Sequence, residues 1–545
     1  MKKFSISILT LMLLAGCASI PNAGPIQIIN EKDSQAGFND VRVIAKPPTT
    51  RMNAVQIASG FVAANISTFG DFSVARKYMT SAASRSWNPA NFDVLDSASI
   101  QFNDLGTGVV EVSALQIGKL KANHRFEIFP VAKPFLLKVS IKKSANGLRI
   151  SNALPNGILS SSDMVRGFSA YNIYFGNESF TKLVPEIVWF PKNEKSLATK
   201  LTNELISNSR ESLKTAIPNG TELRSGSVTV STGTASVNLN ASALNADSKQ
   251  REFMIAQFVW TLQEIAGVGR VQIATNDRVL STRGKAFLNR KDFDNMDPDY
   301  SKLSSALFLL EKSYLSSLHE GLLSDLGRLK GISKFTVSNN HKNIAYITDG
   351  QLRVSSILKL KQSKIIAENA VSLSFDQLGR LWFTDSNGIL YCLPQGGQVQ
   401  QLPAAANATI QDFSLSPDGG RIALVVSNNT SSQLLVGSLV SENGVLGFER
   451  LRRVEQSLSE AFNVDWLSSR EIVVIGKIGL SESVTALISL TNGSLRNLNS
   501  PKVFESISAS NENTVVGITQ SKSAWIYEDS LWTKFDTNTH AQYSE

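Results

Sequence analysis

One cysteine, Cys17, lies directly after a short apolar run near the start of the chain, where its thiol is a candidate for chemical modification. Leu14-Ala15-Gly16-Cys17 ends the first apolar run of the chain, and two lysines, Lys2 and Lys3, precede that run. The run from Phe4 to Ala15 is too short to span a bilayer, and a charged start before a short apolar segment is typical of an export signal. The small residues before Cys17 allow an extended backbone to enter a narrow peptidase site. The pattern therefore predicts an exported chain.

The same four residues resemble the lipobox of bacterial lipoproteins. The resemblance implies that residues 1–16 are a signal peptide, that the Cys17 thiol receives a diacylglyceryl group, and that the new amino terminus is N-acylated with a fatty acid such as palmitate. An ordinary secretory signal that happens to contain a cysteine is the alternative. Two acyl chains give stable anchoring where one does not. We therefore expect a lipid-anchored protein on the extracytoplasmic face of the cell membrane.

The composition is that of a globular protein with a mild positive charge. The chain has 545 residues, of which 42% are hydrophobic and 18% charged, and its net charge is +8. This charge is too dilute to indicate nucleic-acid binding, although it suits an anionic lipid or wall-polymer surface. Acylation of Cys17 would leave Cys392 alone, so no disulfide could form within the mature chain. Cys392 lies in an apolar strand-like run and is predicted to be a small buried group.

Residues that could support catalysis are scattered along the sequence. The four histidines lie far apart, without metal-ligand spacing, and are His124, His319, His341 and His540. Two Ser-x-x-Lys matches occur, Ser140/Lys143 and Ser356/Lys359. Both lie in strand-like runs, whereas serine acyl transfer uses this motif on a helix with companion motifs. Neither a Walker loop nor a Gly-x-Ser-x-Gly elbow is present in the sequence.

Paired acids are the remaining candidates for chemistry. Asp412 with Asp418, or Asp376 with Asp385, could form a glycosidase couple, but such acids more often cap turns. The acidic run Asp292–Asp299 has the alternating pattern of a calcium loop but lacks its glycine and its final glutamate, so we expect a solvated linker. The sequence therefore predicts no catalytic residue, no metal site, no cofactor and no enzymatic activity.

Periodicity divides the rest of the chain into modules. Residues 17–48 are rich in Pro, Asn, Gly and Ser and predict a flexible tether. Residues 49–167 begin with two helix patterns and continue with strand-like runs at 108–112, 125–129 and 135–141, which favours an α+β domain resembling the NTF2-like fold. Residues 168–285 predict the order strand, helix, hairpin, helix and strand, with the hairpin around Thr232-Gly233 and the long helix between Asp247 and Ile265.

Repeats of about 40 to 50 residues fill the last part of the chain and are typical of β-propeller blades. The five repeats start at Ile332-Ser333-Lys334-Phe335, Val371-Ser372-Leu373-Ser374, Gln411-Asp412-Phe413-Ser414, Asn463-Val464-Asp465-Trp466 and Glu505-Ser506-Ile507-Ser508. We therefore predict a linker at 286–305 and a propeller at 306–540. The segments 307–310 and 314–318 are either two strands that help to close the ring or part of a helix, so the count is five or six blades.

The order of these modules resembles a known family. Residues 183–186, 217–223, 237–239 and 260–271 are similar to a GerMN domain. Together with the lipobox and the N-terminal residues Gly60-Phe61 and Ala75-Arg76-Lys77-Tyr78, the chain resembles the LpqB family of actinobacterial lipoproteins. The resemblance implies a partner, the extracellular sensor domain of a two-component histidine kinase of the MtrA–MtrB type. It also implies a role in envelope homeostasis and cell division.

Two other functions stay open at this stage. The first is binding of cell-wall glycan or peptidoglycan, with stacking of sugars on Trp382, Trp466, Trp525 or Trp532, although packing between blades explains these residues better. The second is a hydrolase that uses the propeller mouth. We expect a non-enzymatic protein that acts by protein–protein contact, since no convergent polar site is visible in the sequence.

Overall fold

A computed structural model describes residues 45–535 except positions 68, 208–212, 283, 300–306, 312, 320–321, 404–407, 429–430, 443–444, 455–456, 480–481, 492 and 511–513. Residues Ala45–Glu545 form one compact unit. Strands outnumber helices throughout the part of the chain that is described. No helix in this part is both long and apolar enough to cross a membrane. Cys17 lies outside the described residues.

The N-terminal domain, residues 45–167, combines short helices with one sheet. Its helices are α1 (Ala54–Ala64), α2 (Phe69–Lys77), α3 (Ser81–Ser86) and α4 (Ser161–Gly167), and its strands are β1 (Phe92–Leu95), β2 (Gln101–Asp104), β3 (Val109–Leu120), β4 (Phe126–Ser144), β5 (Gly147–Ile150) and β6 (Gly157–Ser160). The strand order is β5-β4-β3-β1-β6, with β2 paired to β3. This is the predicted α+β arrangement, except that the two runs at 125–129 and 135–141 belong to the single strand β4.

The first helix shows how the sequence starts this domain. Asn53 caps α1, because its side chain accepts the backbone N–H of Gln56 while the Gln56 side chain accepts that of Asn53, at 2.8 and 2.9 Å. The buried face of α1 includes Ile57 and Phe61, and Phe61 packs edge-on against the fully buried Trp87. Helix and sheet therefore share one apolar core.

The middle domain, residues 168–299, follows the order predicted for it. Its elements are β7 (Phe168–Gly176), β8 (Leu183–Pro191), α5 (Leu197–Ser207), β9 (Thr229–Ser231), β10 (Thr234–Leu239), a 3-10 helix (Ala241–Asn245), α6 (Ser248–Leu262), β11 (Arg270–Thr275), β12 (Arg278–Val279) and a second 3-10 helix (Arg290–Met296). Strands β7 and β8 pair with each other, and the second sheet has the order β12-β11-β10-β9. Asp247 caps α6, whose residues from Phe253 to Leu262 are all buried. This helix is the centre of the domain core.

The acidic segment after this sheet is not the solvated linker that its composition indicates. Phe293 is fully buried in the core of the middle domain, and Met296 packs beside it. Asp292 is also buried and pairs with Lys285 at 2.5 Å. The apolar residues within the run determine its position, since their burial outweighs the exposure favoured by the aspartates. The linker prediction is therefore wrong for residues 290–296.

The C-terminal part is a propeller of six sheets among the described residues. A three-stranded sheet contains β13 (Leu307–Glu311), β14 (Tyr314–His319) and β15 (Leu322–Arg328). Five four-stranded sheets follow: β16–β19 (Ile332–Val337, Asn343–Thr348, Gln351–Ser356, Lys364–Ala367), β20–β23 (Ala370–Phe375, Leu381–Asp385, Leu390–Leu393, Gln400–Gln401), β24–β27 (Thr409–Leu415, Arg421–Ser427, Ser432–Glu442, Val445–Arg453), β28–β31 (Leu458–Ser468, Glu471–Ile478, Val484–Ser489, Leu495–Asn497) and β32–β35 (Phe504–Ser510, Thr514–Thr519, Ala524–Glu528, Leu531–Lys534). The helix considered around Leu307 is therefore wrong, and this segment forms the strands of a sixth sheet.

Candidate functional site

Two of the turns between the first and second strands of the blades share one design. In the second four-stranded blade, Asp376 accepts the backbone N–H groups of Leu378 and Arg380, at 2.9 and 2.8 Å. In the third, Asp418 accepts the Ser416 hydroxyl at 2.6 Å and the Gly420 N–H at 2.8 Å. All these turns lie at the same end of the propeller, because the first strands of the blades run in the same direction.

Each of these two turns also holds an arginine. Arg380 pairs with Asp376 at 2.5 Å, and Arg421 pairs with Asp418. Desolvation alone would lower the pKa of Arg380, but the adjacent carboxylate prevails and raises it. Asp385 likewise accepts the Asn387 and Ile389 backbone N–H groups of its own turn. These acids therefore cap turns and hold cations, which leaves their carboxylates occupied by partners.

The middle domain is seated on these turns. The Asn177 side chain donates to the Asp418 carbonyl at 3.1 Å, and Glu178 pairs with Arg380 at 3.1 Å. A Cβ atom on Gly420 would lie 2.6 Å from the Val184 side chain, so glycine allows strand β8 to approach this turn. The middle domain thus covers these two turns, and we call the opposite end of the propeller the free face.

The innermost strands carry a polar ladder from blade to blade. Asp412 on β24 accepts the Ser372 hydroxyl of the preceding blade at 2.8 Å and the Asn463 side-chain amide of the following blade. Asp465 on β28 accepts the Ser414 hydroxyl at 2.6 Å and the Ala509 backbone N–H at 2.8 Å. These bonds link four consecutive inner strands.

Burial changes the acidity of both ladder carboxyls. Desolvation raises the pKa of Asp412, against the opposing effects of Lys334 and Ser372. It raises the pKa of Asp465 to about 6, because the hydrogen bonds from Ser414, Ala509 and Trp466 offset only part of the desolvation. Both groups are committed to bonds between blades, so they hold the ring together rather than presenting a reactive carboxylate.

Each innermost strand of the four-stranded blades contains a β-bulge at the equivalent position. The residues skipped by the pairing are all exposed and form what we call the free-face ring: Ser333, Val371, Gln411, Phe462 and Glu505. Bulges re-aim side chains and terminate pairing, and they are frequent next to functional sites. Two large apolar members, Val371 and Phe462, are 44% and 40% exposed. The strand register that creates this ring is not visible in the repeat pattern, so the sequence does not predict the ring.

A second junction joins the N-terminal domain to the other two. His124 in the β3–β4 turn bonds Glu204 of α5 at 2.8 Å and stacks on Phe190 with ring centroids 4.1 Å apart. Nearby, Arg125, Trp189 and residues 452–454 line a cavity of about 40 Å³ where all three domains meet. This volume has room for only a few water molecules, so the cavity is a joint and not a ligand pocket.

The other sequence candidates do not converge on a site. Ser140 lies within β4, whereas Ser356 ends β18 and accepts the Lys359 backbone N–H, so neither Ser-x-x-Lys match has the helical setting of a nucleophile. His341 packs edge-on against Phe308, and His540 lies outside the described residues. Among the described residues, no group of three or more metal-ligating side chains is found.

The exposed fractions of Cys392 and of the tryptophans show whether these side chains can react or bind ligands. Cys392 is fully buried, as predicted, and burial raises the pKa of its thiol to about 12. Trp382 and Trp466 are 0% and 3% exposed, so they are closed to stacking by sugars. Trp532 is partly buried against Phe504 and bonds the Leu498 carbonyl. Packing between and within blades therefore accounts for these aromatic residues.

Three family models match this chain in succession. The LpqB lipoprotein N-terminal domain matches residues 47–166, the Germane domain, described as sporulation and spore germination, matches residues 172–281, and the LpqB beta-propeller domain matches residues 320–542. The middle domain is thus the predicted GerMN-type unit. The three matched models in this order define the class as a multidomain lipoprotein with a propeller.

Relatives named Lipoprotein LpqB match most of this chain and most of their own length. The Lipoprotein LpqB of Cutibacterium acnes is 21% identical over 517 residues, covering 86% of this chain and 85% of the relative. That of Streptomyces coelicolor is 23% identical over 535 residues, with 86% and 84% covered, and that of Mycobacterium tuberculosis is 22% identical over 503 residues, with 85% and 84% covered. The two LpqB models together match more than half of the residues, so the chain belongs to the LpqB family of lipoproteins.

Solved structures resemble the chain more distantly. TolB from Acinetobacter baumannii gives a TM-score of 0.35 at 14% identity, covering 69% of this chain and 85% of that one. A chain of the nidogen/laminin complex gives a TM-score of 0.34 at 12% identity, covering 43% and 94%. The propeller assignment rests on the six sheets and on the family model.

Proposed function

We propose that this lipoprotein acts by protein–protein contact at the outer surface of the membrane and modulates the extracellular sensor domain of a two-component histidine kinase. The observation that carries the proposal is the free-face ring, at the uncovered end of the propeller. Val371 and Phe462 give it apolar contact area, and Gln411 and Glu505 give it polar groups. This mixture of aromatic and polar groups is typical of protein interfaces.

The occupied acids support contact rather than catalysis. The carboxylates weighed as glycosidase couples hold turns, arginines or neighbouring blades, as shown by the bonds of Asp376, Asp385, Asp412 and Asp418. A predicted lipid anchor at Cys17 would confine the protein to the same surface as a membrane kinase. This confinement raises the effective concentration of each partner for the other, so a modest interface suffices.

Crosslinking in intact cells tests the proposal. The wild-type chain is expected to recover the sensor kinase, and its deletion is expected to change phosphorylation of the response regulator. Replacing a central apolar contact costs about 2 kcal/mol or more at an interface hot spot, which is roughly thirtyfold in Kd. We therefore expect Phe462→Ser and Val371→Ser to lose most of the crosslinked kinase.

A matched control separates the ring from general surface effects. Val445 is 65% exposed on the outer strand β27, far along its blade from the innermost strand, and Val445→Ser removes the same side chain as Val371→Ser. The control is expected to recover the kinase as the wild type does. Recovery of no kinase by the wild-type chain, with unchanged regulator phosphorylation on deletion, contradicts the proposal.

A further inference from the structure

Nearly all of the net positive charge of this chain lies in its N-terminal domain. Residues 45–167 contain 14 lysines and arginines against 7 aspartates and glutamates, which is an excess of 7 in a chain whose net charge is +8. Residues 168–545 contain 36 of each sign and are neutral. The middle domain and the propeller therefore contribute nothing to the net charge, although they form most of the chain.

Part of this excess lies at one edge of the N-terminal sheet. Lys142 and Lys143 are exposed at the end of β4, and Lys142 is directly opposite Arg149 on β5. Like charges placed opposite each other across two strands destabilise a sheet. The described ion pairs of this domain use other cations, namely Arg76, Lys119, Lys121, Arg125 and Arg166. Among the described residues, no ion pair with an acidic side chain relieves the repulsion at this edge.

The start of the described chain adds two more cations to the same edge. A Cβ atom on Gly147, at the start of β5, would lie 3.0 Å from Thr50 Cα, so the segment that follows the predicted tether runs along this hairpin. The Tyr78 hydroxyl donates to the Lys46 carbonyl at 2.8 Å, and Tyr78 also interacts electrostatically with Arg149. Lys46 and Arg51 are exposed. We call Lys46, Arg51, Lys142, Lys143 and Arg149 the basic edge patch, in which Lys143 lies on the face of β4 opposite to Lys142, so the patch includes both faces of this edge.

Exposed leucines accompany this patch. Leu136 is 61% exposed and lies on the same side of β4 as Lys142, six residues before it in the alternating strand. Leu105 is 46% exposed in the β2–β3 turn, whose Gly108 lies beside the Ile141 carbonyl. Basic side chains next to exposed apolar ones are the combination with which peripheral proteins contact the headgroup region of a bilayer.

We propose that the basic edge patch is a second membrane-contact surface, which binds the phosphate groups of anionic phospholipids. A bilayer is the occupant that the location favours, since roughly 30 residues after Cys17 reach at most about 100 Å when fully extended. Acyl chains alone leave the orientation of an anchored body undetermined, whereas a polybasic patch presses one edge against an anionic surface. The contact would thus orient the body as well as retain it.

Vesicle sedimentation of the full chain carrying Cys17→Ala tests the patch without help from acylation. The variant chain is mixed with vesicles of phosphatidylcholine alone or of phosphatidylcholine with phosphatidylglycerol. Binding is expected only, or far more strongly, with the anionic vesicles, and it should weaken as salt is added because exposed charges are screened. The apolar run Phe4–Ala15, with Lys2 and Lys3 before it, is present in every variant, so its contribution cancels when variants are compared on the same vesicles.

Two triple variants in this background locate the contact. Lys142→Gln with Lys143→Gln and Arg149→Gln is expected to lower the partition constant on anionic vesicles about 100-fold, since each cation near such a surface contributes roughly fivefold. The control removes three exposed lysines of the propeller, Lys359, Lys361 and Lys364, also as glutamines, and is expected to bind like its parent. Neutralising the patch removes a like-charge pair, so loss of folding is not expected.

Two results would overturn the proposal. One is equal binding of both triple variants to anionic vesicles. The other is depletion of the parent chain by purified cell-wall polymer, through the same three patch residues, while vesicles leave it in solution. Neither result depends on the kinase, because crosslinking at the free-face ring is measured in a separate experiment. The lipid-binding proposal can therefore fail while the proposed function holds, and the reverse.

Discussion

Ser469 of the propeller and Asp299 of the middle domain are joined twice. The backbone N–H of Ser469 donates to one carboxylate oxygen of Asp299, and its hydroxyl donates to the other at 2.9 Å. Ser469 is 1% exposed, and its carbonyl accepts the Arg421 guanidinium of the preceding blade. This pair therefore ties the end of the middle domain to two blades at once.

Removing the Asp299 carboxylate should destabilise the contact between the middle domain and the propeller. Asp299→Ala leaves the buried Ser469 amide without this acceptor, which costs about 1–3 kcal/mol. We expect a lower urea midpoint by tryptophan fluorescence. The matched control, Asp294→Ala, removes an exposed carboxylate from the same segment and should leave the midpoint unchanged. Equal midpoints for both variants would show that the contact adds no stability.

The pKa of about 6 for Asp465 predicts a pH dependence of stability with a definite sign. Below about pH 3 the carboxyl is protonated in the folded and unfolded chains and has no effect on the difference between them. As the pH rises toward 6, only the unfolded chain ionises, so the folded state becomes less favourable, by about 3 kcal/mol once the pH exceeds 6.

Asp465→Asn removes this titration. The stability of the wild type minus that of the variant should fall as the pH rises from 4 to 6 and then level off, whatever constant cost the amide adds at Ser414 and Ala509. Urea midpoints measured across this range give the difference. A difference that stays flat would contradict a raised pKa at this position.

Cys392 should be inert while the chain is folded. Its thiol is fully buried with a pKa raised to about 12, so both access and the thiolate form needed for alkylation are suppressed. In the Cys17→Ala chain, where it is the sole thiol, we expect iodoacetamide to label it only in urea. Mass spectrometry checks this, and rapid labelling of the folded chain would place the thiol at the surface.

Acylation at Cys17 stays a prediction that cells can test directly. Labelled palmitate should enter the wild-type protein, and Cys17→Ala should abolish the label because it removes the acceptor thiol. Cys392→Ala is the matched control and should retain the label. Equal labelling of the wild type and Cys17→Ala would exclude the lipobox as the site of attachment.

Local sequence signals predict the structure correctly where a single residue type suits a particular backbone conformation or hydrogen bond. The hairpin around Thr232-Gly233 forms as predicted, with positive φ at both residues, 46° and 72°. Asp247 caps α6 as its side-chain chemistry suggests. The repeat period likewise indicated blades, since each blade packs on its neighbours and leaves the same pattern of buried residues.

Features set by distant packing were not predictable. Phe293 lies among aspartates, and only the core of the middle domain explains its burial. The apolar residues around Leu310 fit both a helix and two strands, and the choice depends on packing against the β16–β19 blade. The free-face ring depends on the pairing register of the inner strands. Residues as different as Phe462 and Ser333 occupy equivalent bulges, so the residue type does not predict where a bulge forms.

The cover that the middle domain places over one end of the propeller has a consequence for stoichiometry. A bare propeller offers two ends to its surroundings, whereas here Asn177, Glu178 and Asp299 occupy turns of three blades at one end, among the described residues. If the proposed partner docks along the propeller axis at the free face, we expect it to bind in one polarity and in a ratio of one to one.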